Sequence, residues 1–160
     1  EIILMEFDAQ LDKLTRAGFH ISYVDSHMLP EIYVPGLHEE MARWAERRGL
    51  LDHMYFYNLH DGWKNAAESG EIISYLRKLP EGQYFFLTHP AVYSEEMLQT
   101  GNAEVSGESV AQGRGKEAKI FGNPLTTLTL KSLGVTPLRY DEAKPLKKRL
   151  TVEEVRRIMG

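Results

Sequence analysis

The amino-acid sequence predicts an α/β protein with a parallel sheet, and three features lead there. Stretches with apolar residues at helical spacing alternate with short apolar or aromatic runs, the order expected of helices crossing between parallel strands. One run, Tyr84-Phe85-Phe86-Leu87-Thr88, is almost continuously apolar, as in a strand covered on both faces. The residues best suited to chemistry, Asp25-Ser26-His27 and His89-Pro90, close two of the predicted strands, and α/β folds hold ligands at the carboxyl ends of strands. A length of 160 residues fits one ordinary domain, so the expectation is a single α/β domain over residues 1–160.

In chain order, Ile3, Phe7, Leu11 and Leu14 share one face of a predicted helix over residues 2–17, and Gly18 stands at its C-cap. A strand over 19–25 runs into the Asp-Ser-His turn. Pro30 and Pro35 bracket a connection to a second helix over 37–48, whose stripe is Met41, Trp44 and Ala45 and whose stop is Gly49. Residues 50–57 read as a second strand, and 58–64 as a loop carrying His60, Asp61 and Trp63. A helix reaching residue 79 precedes the Tyr84–Thr88 run. Residues 91–113 are polar, rich in Gly and Ser and without periodicity, so they read as a mobile loop. Helices over 114–121 and 124–133, a short strand over 135–140 weakened by Pro137, and a last helix opened by the Thr151/Glu154 capping box complete the chain.

Composition narrows the function classes. Hydrophobic content of 42% suits a packed core. A net charge of −4 with mixed signs points to neither nucleic acid nor a membrane surface, and the basic cluster at 144–149 reads as a solvated face. The absence of cysteine excludes disulfides and thiolate metal sites and fits a cytoplasmic location. No apolar run approaches the length of a membrane span. The chain opens at Glu1 directly within a helical pattern, which suggests part of a longer polypeptide.

The candidate site centres on residues 23–30. Asp25 and His27 lie two residues apart, so an extended backbone points both to one side, together with Tyr23. A carboxylate, an imidazole and a phenol there suit metal-assisted or acid–base chemistry, while a plain surface turn is the competing reading. Among the other histidines, His38 reads as exposed beside Glu39 and Glu40, and His20 as structural. His53 and His60 stay open between lining a site and structure. By itself the chain shows no complete metal site, phosphate loop or nucleophile elbow.

From Phe7 to Gly18, through Ile21-Ser22-Tyr23-Val24-Asp25-Ser26-His27 and Leu29-Pro30, the sequence resembles the YdjC-like (ChbG-type) carbohydrate deacetylases. Glu6, Gln10 and Gly18 match the E-x-x-x-Q helix and its glycine, Thr88-His89-Pro90-Ala91 the His-Pro segment, and Arg114-Gly115-Lys116-Glu117 the R-x-x-E element. The resemblance implies the C-terminal portion of an irregular (β/α) barrel of the polysaccharide-deacetylase type. It implies a hydrolase that removes acetyl groups from N-acetylated sugars with a divalent metal ion, Mg or Zn. His27 would be a metal ligand, Asp25 would orient it, and His89 would protonate the leaving amine. Tyr23, Pro30 and Arg114 would line the substrate site. The implied partners are an acetylated sugar or oligosaccharide and a second copy in a homodimer, with no nucleic acid and no membrane.

The sequence also departs from the family. The Asp-Asp-Phe-Gly opening and the first ligand histidine have no counterpart, Tyr23 replaces a histidine, and Met28-Leu29 stands where a second histidine follows Asp-Ser-His. The metal ligand set in this chain is therefore incomplete, and the segment alone is expected to be inactive. A non-catalytic carbohydrate-binding or assembly subunit, with Tyr33, Tyr55, Tyr57, Trp63 and Tyr93 stacking on sugar rings, is the alternative.

Overall fold

A computed structural model describes residues 1–58, 62, 65–66 and 70–159. The loop candidates His60, Asp61 and Trp63 lie outside the described residues. The chain forms two compact units, one of Glu1–Asn58 with Leu138–Gly160 and the other of Leu59–Pro137.

The first unit starts with α1 (Ile2–Arg16), which Gly18 follows with φ of 88°, a left-handed conformation that costs glycine nothing. On α1, Gln10 donates to Glu6 at 2.8 Å, one helical turn apart. Strand β1 (Tyr23–Val24) leads through a one-turn 3-10 helix (Pro30–Ile32) into α2 (Leu37–Arg48), which returns the chain to β2 (Leu51–Asp52). The two strands pair in parallel, Tyr23 opposite Leu51 and Val24 opposite Asp52, so the β–α–β crossover that parallel pairing requires is present. Helix α2 carries the predicted stripe, with Met41, Trp44 and Ala45 buried. Phe7 of α1 packs on Trp44 with ring centroids 5.6 Å apart, and the Trp44 indole donates to Asp8 at 2.8 Å.

Two expectations change here. His38 is buried, because it shares the inward face of α2 with Leu37 and Met41 and lies against the Arg149–Leu150 stretch. The reading of the basic cluster at 144–149 as a solvated face changes only in part: Lys144, Lys147 and Lys148 are exposed, while its Arg149 end is drawn in. Backbone bonds from Leu146 to Tyr55 and from Leu150 to Met54 draw it onto the unit, where the Arg149 guanidinium pairs with Asp52 at 2.5 Å. The last helix of the chain, over Val152–Met159, opens as its capping box predicts: Glu154 N–H donates to Thr151 Oγ1 and Thr151 N–H to Glu154 Oε2. Its Val155 is fully buried.

In the second unit, α3 (Ile72–Leu76) buries Ile72 against Tyr75, Leu76, Phe86 and Ile120. Tyr84 and Phe86 stack at 5.8 Å, the two-residue repeat of an extended backbone, although the Tyr84–Thr88 run carries no strand assignment. Residues 135–140 are likewise not a strand, so among the described residues the sheet has two strands. The architecture is mixed α/β and rich in helix, with a small parallel sheet.

The stretch read as a loop at 91–113 holds α4 (Glu95–Leu98) and the first turns of α5 (Gly107–Phe121), which precedes α6 (Pro124–Ser132). Its glycines mark a close approach and not a lack of structure. A Cβ on Gly107 would sit 1.7 Å from the Leu98 carbonyl oxygen, and one on Gly101 would sit 2.3 Å from the Gly107 nitrogen. Gly107→Ala must therefore push α4 from α5, and we expect it to destabilise the protein by roughly 1–3 kcal/mol, the usual range for overpacking. Urea denaturation checks this, and an unchanged midpoint would refute the packing.

Candidate functional site

The site is built where β1 stops. Beyond Val24 exposure still alternates: Tyr23, Asp25 and His27 are exposed, Val24 is half-buried and Ser26 is buried. The chain then turns sharply, because Met28 and Leu29 both have positive φ, 61° and 48°. Left-handed backbone costs an L-residue roughly 1–2 kcal/mol, so something must hold this turn. Burial of Leu29 is one restraint, and Pro30, with its fixed φ, starts the 3-10 helix that follows.

Beneath the turn lies a polar cluster that the sequence did not announce. Glu31 and His53 are each about 1% exposed. Ser26 Oγ donates to Glu31 Oε1 at 2.5 Å, and His53 Nε2 lies 2.9 Å from the same oxygen. On its other side His53 Nδ1–H donates to the Val24 carbonyl at 3.1 Å. Because a carbonyl can only accept, Nδ1 carries a proton. The approach of Nε2 to Glu31 is within ion-pair distance but off the line of a well-aligned hydrogen bond, and Glu31 Oε2 is buried without a hydrogen-bond partner. Burial pushes the Glu31 carboxyl up, while its bonds with His53, Ser26 and its own backbone pull down harder, leaving it below the ordinary 4.5.

Above the sheet, Asp25 is held by two phenols. Tyr57 donates to Asp25 Oδ1 and Tyr140 to Oδ2, each at 2.9 Å. Burial first, and then the nearby Asp25 charge and these bonds, raise both phenols above their ordinary range, so both stay protonated donors. Tyr140 also packs on Tyr23 at 4.4 Å and edge-on against Phe56 at 4.9 Å. Each carboxylate oxygen keeps a second lone pair after accepting one bond, so Asp25 retains acceptor capacity toward solvent.

The expected site residues are thus only partly brought together. Tyr23 and Asp25 meet through Tyr140, and Pro30 anchors the far side of the turn. His27 is exposed and, among the described residues, its side chain has no hydrogen-bond or ion-pair partner, so the expected orienting contact from Asp25 is not made. Tyr57, expected as an exposed sugar platform, is 2% exposed and bonds Asp25 instead. His53 is too deeply buried to line a site. In the second unit His89 is exposed, with its backbone N–H donating to Glu117 Oε2, and Ala91 N–H donates to the Arg114 carbonyl. Glu117 therefore holds the His-Pro segment.

Sequence reasoning missed Glu31 and Tyr140, and left His53 open between lining a site and structure. Nothing local marks a buried Glu after a proline, and only the aromatic density of 55–57 hinted that its tyrosines pack.

The divalent ion implied by the family resemblance finds an incomplete setting. Asp25 and His27 offer at most two donors, a catalytic ion takes three protein ligands, and among the described residues no three His, Asp or Glu converge. These residues alone do not make the metal site. Also among the described residues, no helix is long and apolar enough to cross a membrane. Comparison with protein-family models, with curated proteins and with solved structures finds no match for the chain.

The state of Glu31 gives a pH dependence. A carboxyl held below 4.5 in the folded protein adds stability above that pH and loses it as pH falls toward the folded value. Urea denaturation from about pH 6 to about pH 3 should show the wild-type advantage over Glu31→Gln shrinking once pH passes below about 4.5. Curves that stay parallel throughout would contradict a charged Glu31.

Proposed function

We propose that the chain serves a metal-dependent hydrolase that removes acetyl groups from N-acetylated sugars or oligosaccharides, on an irregular (β/α) barrel of the polysaccharide-deacetylase type. The observation that carries this reading is His27, an exposed imidazole with no partner, just past the carboxyl end of a strand in a parallel pair and two residues from Asp25. That is the position where α/β folds present ligand-binding groups, and its Asp-Ser-His sequence resembles the YdjC-like deacetylases. His27 would be one ligand of a Mg or Zn ion, with further ligands outside the cluster described above. When bound, such an ion polarises an acyl carbonyl and acidifies its water. Asp25, fixed by two phenols, would present its remaining lone pairs to the sugar or to the ion. Tyr23, 45% exposed and backed by Tyr140, would offer a ring face to the sugar.

One observation favours a second reading. Both Asp25 oxygens already accept phenol hydrogens, and among the described residues no third ligating group stands near, which suits a sugar-binding subunit without catalysis.

Acetate release from chitooligosaccharides, with Mg or Zn supplied, separates the two. The deacetylase reading expects metal-dependent release and, for His27→Ala, a loss of kcat/KM of at least about 100-fold, beyond what removal of an outer-shell partner costs. Full activity in that variant would remove His27 from the site. Sugar binding without acetate release, with or without metal, would establish the second reading.

A further inference from the structure

The turn that carries Asp25 and His27 is strained at Met28 and Leu29, and left-handed backbone at ordinary residues persists only where the surroundings over-determine it. Three buried side chains grip it from below. His53, from the one-turn 3-10 helix (His53–Tyr55) after β2, holds the Val24 carbonyl immediately before Asp25. Glu31, just beyond the turn, accepts from Ser26, the residue between Asp25 and His27. His53 and Glu31 meet at 2.9 Å, closing a loop from β1 through the turn to β2 and back.

We infer that Ser26, Glu31 and His53 are positioning residues, a buried lock that fixes the backbone from which Asp25 and His27 reach solvent. They touch no substrate. Their effect on the chemistry passes through the turn, and that part rests on the deacetylase reading; the lock itself does not. Each member sits where a substitution loosens the turn at a different point. Ser26→Ala frees the middle of the turn with the smallest disturbance of packing. Glu31→Gln keeps an acceptor for Ser26 but removes the charge that faces His53. Ser26→Thr retains the hydroxyl and should rescue.

The Leu29 amide is the direct reporter, because it donates to the Ser26 carbonyl at 3.3 Å within the turn. Hydrogen exchange on the full chain is expected to speed up at Leu29 by at least tenfold in Ser26→Ala and Glu31→Gln. It should stay near wild type in Ser26→Thr, and in Met41→Ala, a core variant matched for loss of stability, once global opening is subtracted. If acetate release is observed, the same two variants should lower kcat with little change in KM. Leu29 exchange unchanged in Ser26→Ala, or accelerated equally in Met41→Ala, would overturn the lock whether or not the protein is a deacetylase. A wild type with no acetate release but with selective exchange at Leu29 would keep the lock and discard only the catalytic reading.

Discussion

Most of the first unit can be understood from one contact, the meeting of Glu31 and His53 in a place that excludes water. Taking an ionised carboxylate out of water costs several kcal/mol even after relaxation, so the cost has to be offset by partners. Ser26 and the imidazole approach Oε1, while Oε2 has no hydrogen-bond partner among the described residues, and the imidazole in turn fixes the Val24 carbonyl. The cluster joins the ends of two strands that are each only two residues long. A ladder that short carries little registry by itself. Here the register is reinforced from below by side chains, and from the edge by the Asp52–Arg149 pair.

The same arrangement separates two residues that the sequence placed together. Asp25 is immobilised, with both oxygens bonded to raised-pKa phenols. His27 is presented to solvent without a partner. A fixed acceptor beside an exposed imidazole is an arrangement that could meet a polar ligand. The aromatic packing of Tyr23, Phe56 and Tyr140 keeps the carboxylate side of this surface rigid and apolar. Aromatic faces next to a fixed acceptor are the features on which both proposed readings, catalysis and sugar binding, would draw.

In the second unit the equivalent device is Glu117, a largely buried carboxylate on α5 that receives the His89 amide. The Arg-x-x-Glu pattern thus acts through its glutamate on the backbone and through the Arg114 carbonyl, which accepts the Ala91 amide. The neighbouring α4–α5 contact depends on glycine for the opposite reason: there, the absence of a side chain lets one backbone approach another.

Sequence by itself determined the elements whose causes are local. Helix α2 from its Met41-Trp44-Ala45 stripe to Gly49, the capping box at Thr151, and Asp25 and His27 at a strand end all follow from spacing and backbone preference within a few residues. Periodicity overreached where its partner was remote: Tyr84–Thr88 is extended and aromatic without being assigned as a strand, and Gly107 looked like loop because the Leu98 carbonyl it accommodates is invisible along the chain. Only the tertiary structure decided which charges are buried. His38, Glu31 and Arg149 have the composition of surface residues, and what covers them is chain brought from elsewhere in the first unit. Burial of a polar group is a property of its partners, and those partners are set by how the chain folds back on itself.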